Sequence, residues 1–133
     1  RPDELLGVTD IDTNERSSDI INFDELSKVA PDFATQFLIL HDFRAHLRAN
    51  FDDLTGMVER NDILNVEGIA HRMHGSSLMV GAKSLALACA SIERAERKKN
   101  IARITTAMLS LMDGIKQFEN LMSMLEASKN GDK

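Results

Sequence analysis

The clearest structural pattern in the sequence is residues 101–125, IARITTAMLSLMDGIKQFENLMSML. Apolar side chains recur there three or four residues apart over more than three heptads, which predicts a long helix with one apolar face. An apolar face of this kind could form a coiled coil between two chains. Short connections to other amphipathic segments favour instead an antiparallel four-helix bundle within one chain. The apolar face consists of Ile101, Ile104, Met108, Leu111, Ile115, Phe118, Met122 and Leu125.

Three segments upstream also carry the spacing of amphipathic helices. Asp32 can cap the first and Asn61 or Asp62 the second, because short polar side chains accept hydrogen bonds from the free N–H groups at a helix start. Gly81 is expected to end the second helix and turn the chain. The predicted segments are residues 32–58, 62–80 and 82–99. The apolar stripe expected on the first is Phe33, Phe37, Leu40, Leu47, Phe51, Leu54 and Val58.

A shorter helix is expected over residues 20–30, ahead of the bundle. Asn22 or Asp24 can cap its start, and Pro31 ends it because the residue before a proline avoids the helical region. These patterns together predict an all-α protein, an antiparallel four-helix bundle with a short extra N-terminal helix.

The two ends of the chain are polar. Residues 1–20 are rich in Asp, Ser, Thr and Asn and are expected to form a flexible linker, and residues 129–133 a disordered tail. The bundle is therefore expected at residues 21–128. No apolar run approaches the ~18 residues of a membrane span, and no signal peptide is visible. Because the chain starts with Arg1 rather than Met, we expect it to belong to a longer protein.

Charge and cysteine content exclude several functions. The 133 residues carry a net charge of −5, which does not favour nucleic-acid binding. Cys89 is the only cysteine, so neither an intramolecular disulfide nor a thiolate zinc site can form. A basic cluster is interleaved with Glu93 and Glu96 and is expected to be a solvated helix end. It comprises Arg94, Arg97, Lys98 and Lys99.

The predicted helix 62–80 holds the most informative residue, His71. At about 100° per residue, His71 lies well over 100° from the middle of the core stripe, so its ring should face solvent. That core stripe is Ile63, Val66, Ala70, Met73, Ser77 and Val80, with Ile69 beside it.

The outer face around His71 combines small and apolar residues. Gly68 lies three residues before it and Gly75 four residues after it, although each glycine costs ~1 kcal/mol relative to Ala inside a helix. Leu64 and Leu78 lie seven residues away on either side. This arrangement suits a surface that a partner protein approaches closely, with apolar side chains supplying binding energy. An imidazole is a suitable nucleophile near pH 7 because much of it is neutral there.

Residues 71–82, His-Arg-Met-His-Gly-Ser-Ser-Leu-Met-Val-Gly-Ala, resemble the signature of histidine-containing phosphotransfer (HPt) domains of bacterial phosphorelays. The family pattern has His, two residues, Lys, Gly, two Ser or Ala, three residues and Gly-Ala. The next segment, 85–97, resembles the family's Leu, Cys, Leu-Glu and basic positions. The resemblance implies that His71 is the phosphoacceptor and that Leu64, Gly68 and Leu78 lie where a receiver domain docks.

The resemblance also implies a phosphoryl environment of Arg72, His74 and Gly75. His74 replaces the family's lysine, and a histidine carries only part of a positive charge near pH 7. A neighbouring doubly negative phosphoryl group favours its protonated form. Ser76 and Ser77 are expected at the core edge, bonding back to helix carbonyls.

The function implied by the resemblance is that of a phosphorelay intermediate without kinase activity of its own. His71 would accept a phosphoryl group from a receiver aspartate and pass it to another receiver, and Mg²⁺ would belong to the receiver rather than to this domain. Response-regulator receivers are the expected partners, with no nucleic acid and no direct membrane contact. The resemblance further suggests the C-terminal domain of a hybrid sensor kinase, cytoplasmic and tethered to the inner membrane through that kinase.

Two other functions compete with phosphotransfer. The chain could be a helical interaction or dimerisation module, which composition does not distinguish from an HPt domain. It could also hold a metal, since Glu67, His71 and His74 share one side of a helix and His41 and His46 add imidazoles. Bundle di-metal sites require inward-facing Glu-x-x-His pairs on two helices, and the sequence has none.

Overall fold

The computed structural model describes residues 20–131, with side chains described through residue 128. Most of the predicted linker and residues 132–133 of the predicted tail lie outside the described residues. Residues 20–131 contain no β-strand, and the all-α prediction is confirmed. The elements are α1 (Phe23–Val29), α2 (Phe33–Glu59), a 3₁₀ turn (Ile63–Asn65), α3 (Val66–Met79), α4 (Lys83–Arg97) and α5 (Ile101–Gly131). Helix α5 thus runs three residues into the segment 129–133 that was expected to be disordered.

The first two helices start where the sequence predicts. The Asn22 side chain accepts hydrogen bonds from the backbone N–H groups of Asp24 and Glu25 and so caps α1. The Asp32 carboxylate accepts one from the N–H of Thr35 at 2.9 Å and caps α2. That backbone hydrogen bond, together with a second one from the Thr35 hydroxyl, lowers the pKa of Asp32. Local chemistry is therefore enough to place these two boundaries.

The start of the third helix differs from the prediction. The Asp62 carboxylate accepts from the side-chain amide of Asn65 at 2.9 Å and from no helix N–H, and Asn61 has a positive φ of 60°. The chain therefore winds into the 3₁₀ turn, and the α-helix begins at Val66 instead of residue 62. The predicted cap is wrong because the Asp62 carboxylate accepts its hydrogen bond from the Asn65 side chain instead of from a backbone N–H group.

Helices α2 and α5 close the bundle in antiparallel orientation. The rings of Phe43 and Phe118 meet edge to face, with centroids 5.4 Å apart. Arg44 reaches Glu126 at 3.4 Å, and Arg48, four residues later in α2, pairs with Glu119, seven residues earlier in α5. As residue numbers increase along α2, those of their partners in α5 decrease, so the two helices run antiparallel.

The core is formed mainly by the apolar stripes of α2 to α5, with a few corrections. Phe43 is buried but was missing from the stripe predicted on α2, whereas Phe33 is about half exposed. Phe33 and Ile101, also about half exposed, are each the first residue of their helix. Ser77 is fully buried, and its hydroxyl has no hydrogen-bond partner among the described residues, so the expected bond to a helix carbonyl is wrong.

Gly81 makes the turn that reverses the chain between α3 and α4. Its φ is +77°, a left-handed conformation that glycine adopts without the strain a Cβ would cause. Its carbonyl accepts a hydrogen bond from the N–H of Asn22 at 2.8 Å, and a Cβ on Gly81 would lie 2.6 Å from the Asn22 carbonyl oxygen. The turn is thus packed directly against the start of α1.

Replacing Gly81 by alanine should therefore destabilise the protein by at least about 2 kcal/mol. The left-handed conformation alone costs a residue with a Cβ about 1–2 kcal/mol, and the clash with Asn22 adds to it. Gly75→Ala is the matched control, since a Cβ there meets nothing within 4 Å and should raise stability by up to about 1 kcal/mol. Urea unfolding of both variants measures the difference, and equal midpoints would contradict this role of the turn.

Candidate functional site

His71 lies on the outer face of α3, where helical spacing predicts it. Its side chain is 77% exposed, while Ile69, Ala70 and Met73 on the same helix are buried in the core. The imidazole is therefore accessible to a second protein without any movement of the bundle.

The ring of His71 is held by a buried carboxylate on α4. Nδ1 of His71 lies 2.8 Å from Oε1 of Glu93, and Nδ1 of His74 lies 3.0 Å from Oε2 of the same residue. The Glu93 side chain is only 8% exposed, so it needs hydrogen-bond donors in place of water. The two imidazoles supply one donor to each carboxylate oxygen.

This contact fixes which nitrogen of His71 carries the proton. A carboxylate can only accept hydrogen bonds, so Nδ1 must be protonated. In the neutral ring the lone pair then resides on Nε2, the nitrogen on the side away from Glu93. A neutral ring in this tautomer can act as a nucleophile only through Nε2.

Glu93 was not predicted as a site residue, although a pattern in α4 pointed to it. One face of α4, which includes Leu85, Cys89 and Ile92, is buried in the core. Beside it runs a second buried stripe that contains Ala86 and, seven residues later, Glu93. A charged residue seven positions from a small buried residue lies on the same buried side of α4, the side that faces α3. The sequence of α4 alone does not show which residues of α3 it contacts.

Two further carboxyl groups lie on the same side of the bundle. Glu67, four residues before His71, shares a hydrogen bond with Glu96, and this contact together with partial desolvation raises the pKa of Glu67. Glu96 is almost fully buried, and its hydrogen bond with Lys99, 2.6 Å away, lowers its pKa. Arg97 lies 4.0 Å from Glu67 and Lys99 pairs with Glu96, so each of these carboxyl groups has a cationic partner nearby.

The residues expected around the phosphoryl group differ in their exposure and in their partners. His74 is 30% exposed and is tied to Glu93, so it shares the carboxylate with His71. Arg72 and Gly75 are exposed on the same helix. Arg48 of α2 pairs with Glu119 on α5 at 2.7 Å.

The remaining predicted residues form an open apolar surface around His71. Leu64 is 77% exposed and Leu78 58% exposed. A Cβ on Gly68 or Gly75 would meet nothing within 4 Å, so packing within the bundle does not require either glycine. Because neither glycine has a side chain, nothing protrudes from the helix surface at these positions beside the imidazole. We call these four residues and His71 the His71 face.

Other chemistry is poorly supported in the described part of the chain. Among the described residues, no three His, Cys, Asp or Glu side chains are grouped to hold a metal ion. Burial raises the pKa of the Cys89 thiol to about 12, which makes it a poor nucleophile. None of the helices within residues 20–131 combines the length and apolar character needed to cross a membrane.

Comparison with known families agrees with this geometry. The family model of the Hpt domain matches residues 38–128, more than half of the chain. The chain belongs to the Hpt domain family, and as such it is a phosphocarrier module of two-component signalling rather than a catalytic domain. No curated protein and no solved structure matches the chain.

If Glu93 fixes the tautomer, its removal should change the protonation pattern of His71. We expect wild-type His71 to be the Nδ1–H form at a pH where the ring is neutral, and Glu93→Ala to shift it toward the Nε2–H form. Two-dimensional ¹⁵N–¹H NMR of the imidazole measures this directly. His46, whose Nδ1 contacts only groups of its own helix, serves as the internal control. An unchanged His71 tautomer in Glu93→Ala would refute the assignment.

Proposed function

We propose that this domain is a phosphorelay intermediate that accepts a phosphoryl group from a receiver aspartate onto His71 and passes it to a second receiver. The observation that carries the proposal is the hydrogen bond from His71 Nδ1 to buried Glu93, which leaves Nε2 unprotonated and exposed. The open His71 face supports it, because an incoming phosphoaspartate must come within bonding distance of that nitrogen.

In the proposed step, the lone pair on His71 Nε2 attacks the phosphorus of the receiver's aspartyl phosphate. A nitrogen–phosphorus bond forms as the bond from phosphorus to the aspartate oxygen breaks, and the aspartate leaves as a carboxylate. The imidazole keeps its Nδ1 proton and becomes positively charged. Glu93 already accepts that proton's hydrogen bond, so it stabilises the new charge without rearrangement.

Onward transfer reverses these bond changes. An aspartate oxygen of the second receiver attacks phosphorus, and the electron pair of the nitrogen–phosphorus bond returns to Nε2. Mg²⁺ would be held by the receivers, as would most of the groups that neutralise the transferring phosphoryl group. This domain contributes the nucleophile, its orientation and the docking surface.

The setting of the domain is a further part of the proposal. Family membership supports a place in a two-component pathway, and we propose that the domain belongs to a hybrid sensor kinase that tethers it at the cytoplasmic side of the inner membrane. Response-regulator receivers are the proposed partners, whereas nucleic acid and the membrane itself are not.

The test of phosphotransfer is incubation of the domain with a phosphorylated receiver. We expect an acid-labile, base-stable phosphate on the domain, absent from His71→Gln and retained in His74→Gln. Since His74 contacts the same carboxylate, it is a matched control for the loss of one imidazole. Absence of label on the intact domain with several receivers would favour the competing interpretation, a helical interaction module without phosphotransfer.

Receiver docking should depend on the His71 face and not on apolar exposure in general. Leu78 on α3 and Leu109 on α5 are each 58% exposed, so they form a matched pair. We expect Leu78→Asp to weaken receiver binding about tenfold or more, because it places a charge where apolar surface is buried. Leu109→Asp should leave affinity unchanged. Equal losses in a titration of both variants would argue against docking at this face.

A further inference from the structure

A groove between α4 and α5 is lined by three positive charges. It has a volume of about 330 Å³, and Arg94, Lys98 and Arg103 contribute their cationic side chains to it. None of its lining residues is acidic, although the chain as a whole carries a net charge of −5. A local excess of three positive charges therefore lies in an acidic protein.

These three cations differ from their neighbours in the basic cluster. Lys99 pairs with Glu96 at 2.6 Å, and Arg97 lies 4.0 Å from Glu67. Within residues 20–128, by contrast, Arg94, Lys98 and Arg103 make no ion pair with a carboxylate. All four residues of the basic cluster are exposed, as expected of a solvated helix end, but only Arg97 and Lys99 lie within 4.0 Å of a carboxylate. The three positive charges repel one another, and a bound anion would reduce this repulsion.

The side chains around the groove suit an oxyanion. The Ser91 hydroxyl accepts a hydrogen bond from Arg94 Nη2 at 3.1 Å, which holds this guanidinium at the groove edge with its remaining N–H groups available. Two guanidinium groups can each donate paired hydrogen bonds to phosphate oxygens. Buried Ala95 and Ala107 supply an apolar floor.

The groove continues into a second one of about 340 Å³. The two share Ser91 and Ser110, and the second is lined in part by exposed Leu87 and by Asp113, whose carboxylate accepts a hydrogen bond from Gln117. The uncharged, polar part of a ligand would fit in this second groove while its charged group lies in the first. Together the two grooves reach the size of small-molecule sites.

We propose that the α4–α5 groove binds a small molecule that carries two or more linked phosphate groups. Two or more negative charges match the three cations, and the volume admits a diphosphate. His71, His74 and Glu93 do not line this groove, so the site is separate from the His71 face and independent of the proposed phosphotransfer.

The test is a titration of the ¹⁵N-labelled domain with inorganic pyrophosphate and, separately, with ADP, followed by NMR at low ionic strength. We expect saturable shifts confined to amides along the groove, with a Kd below about 1 mM for at least one of the two. Tighter binding of ADP would identify an organic diphosphate that uses both grooves, and equal binding would identify the diphosphate alone. Binding should weaken as NaCl is added.

Variants make the test specific. Arg94→Gln and Arg103→Gln should each weaken binding about tenfold, as expected for loss of a charge-assisted hydrogen-bonding group. Arg60→Gln, which alters an exposed arginine at the end of α2 outside the groove, is the matched control and should bind as wild type. Circular dichroism confirms that each variant is folded. No saturable shift up to about 10 mM, or an equal loss in Arg60→Gln, would overturn the proposal.

Discussion

One buried carboxylate, that of Glu93, organises the site. Its two oxygens accept hydrogen bonds from Nδ1 of His71 and of His74, which lie about one turn apart on the facing helix. This contact requires α3 and α4 to run antiparallel in one register, and the turn at Gly81 fixes that register. The tautomer of His71, its orientation and the direction of its unprotonated nitrogen all follow from the contact.

The charge around the site has a consequence for the phosphorylated form. In place of a lysine three residues after the acceptor, the chain has His74, whose Nδ1 is occupied by Glu93. Glu67 and Glu96 add carboxyl groups nearby. Arg97 and Lys99 pair with these two carboxyl groups, so their charges are largely balanced. A phosphoryl group on His71 would therefore lack the fixed positive charge that a lysine in place of His74 would supply.

Much of the fold could be predicted from the sequence because its determinants are local. Apolar spacing places the helices, and the side chains of Asn22 and Asp32 mark two of their starts. The exposure of His71 likewise follows from periodicity along a single helix. The start of α3 was mispredicted because Asp62 contacts Asn65 instead of the backbone. Glu93 was missed as a site residue because its contacts join two helices, and no pattern within one helix contains that pairing.

The most direct test of this account is the single-turnover rate of phosphoryl transfer from a phosphorylated receiver to the wild-type domain, Glu93→Gln and Glu93→Ala. Loss of a charge-assisted hydrogen bond to the reacting ring should slow Glu93→Ala about 10- to 100-fold, and Glu93→Gln, which keeps an acceptor but no charge, should fall between. Receiver binding should remain unchanged in both variants. A Glu93→Ala domain that accepts phosphate as fast as wild type would contradict the central role of this carboxylate.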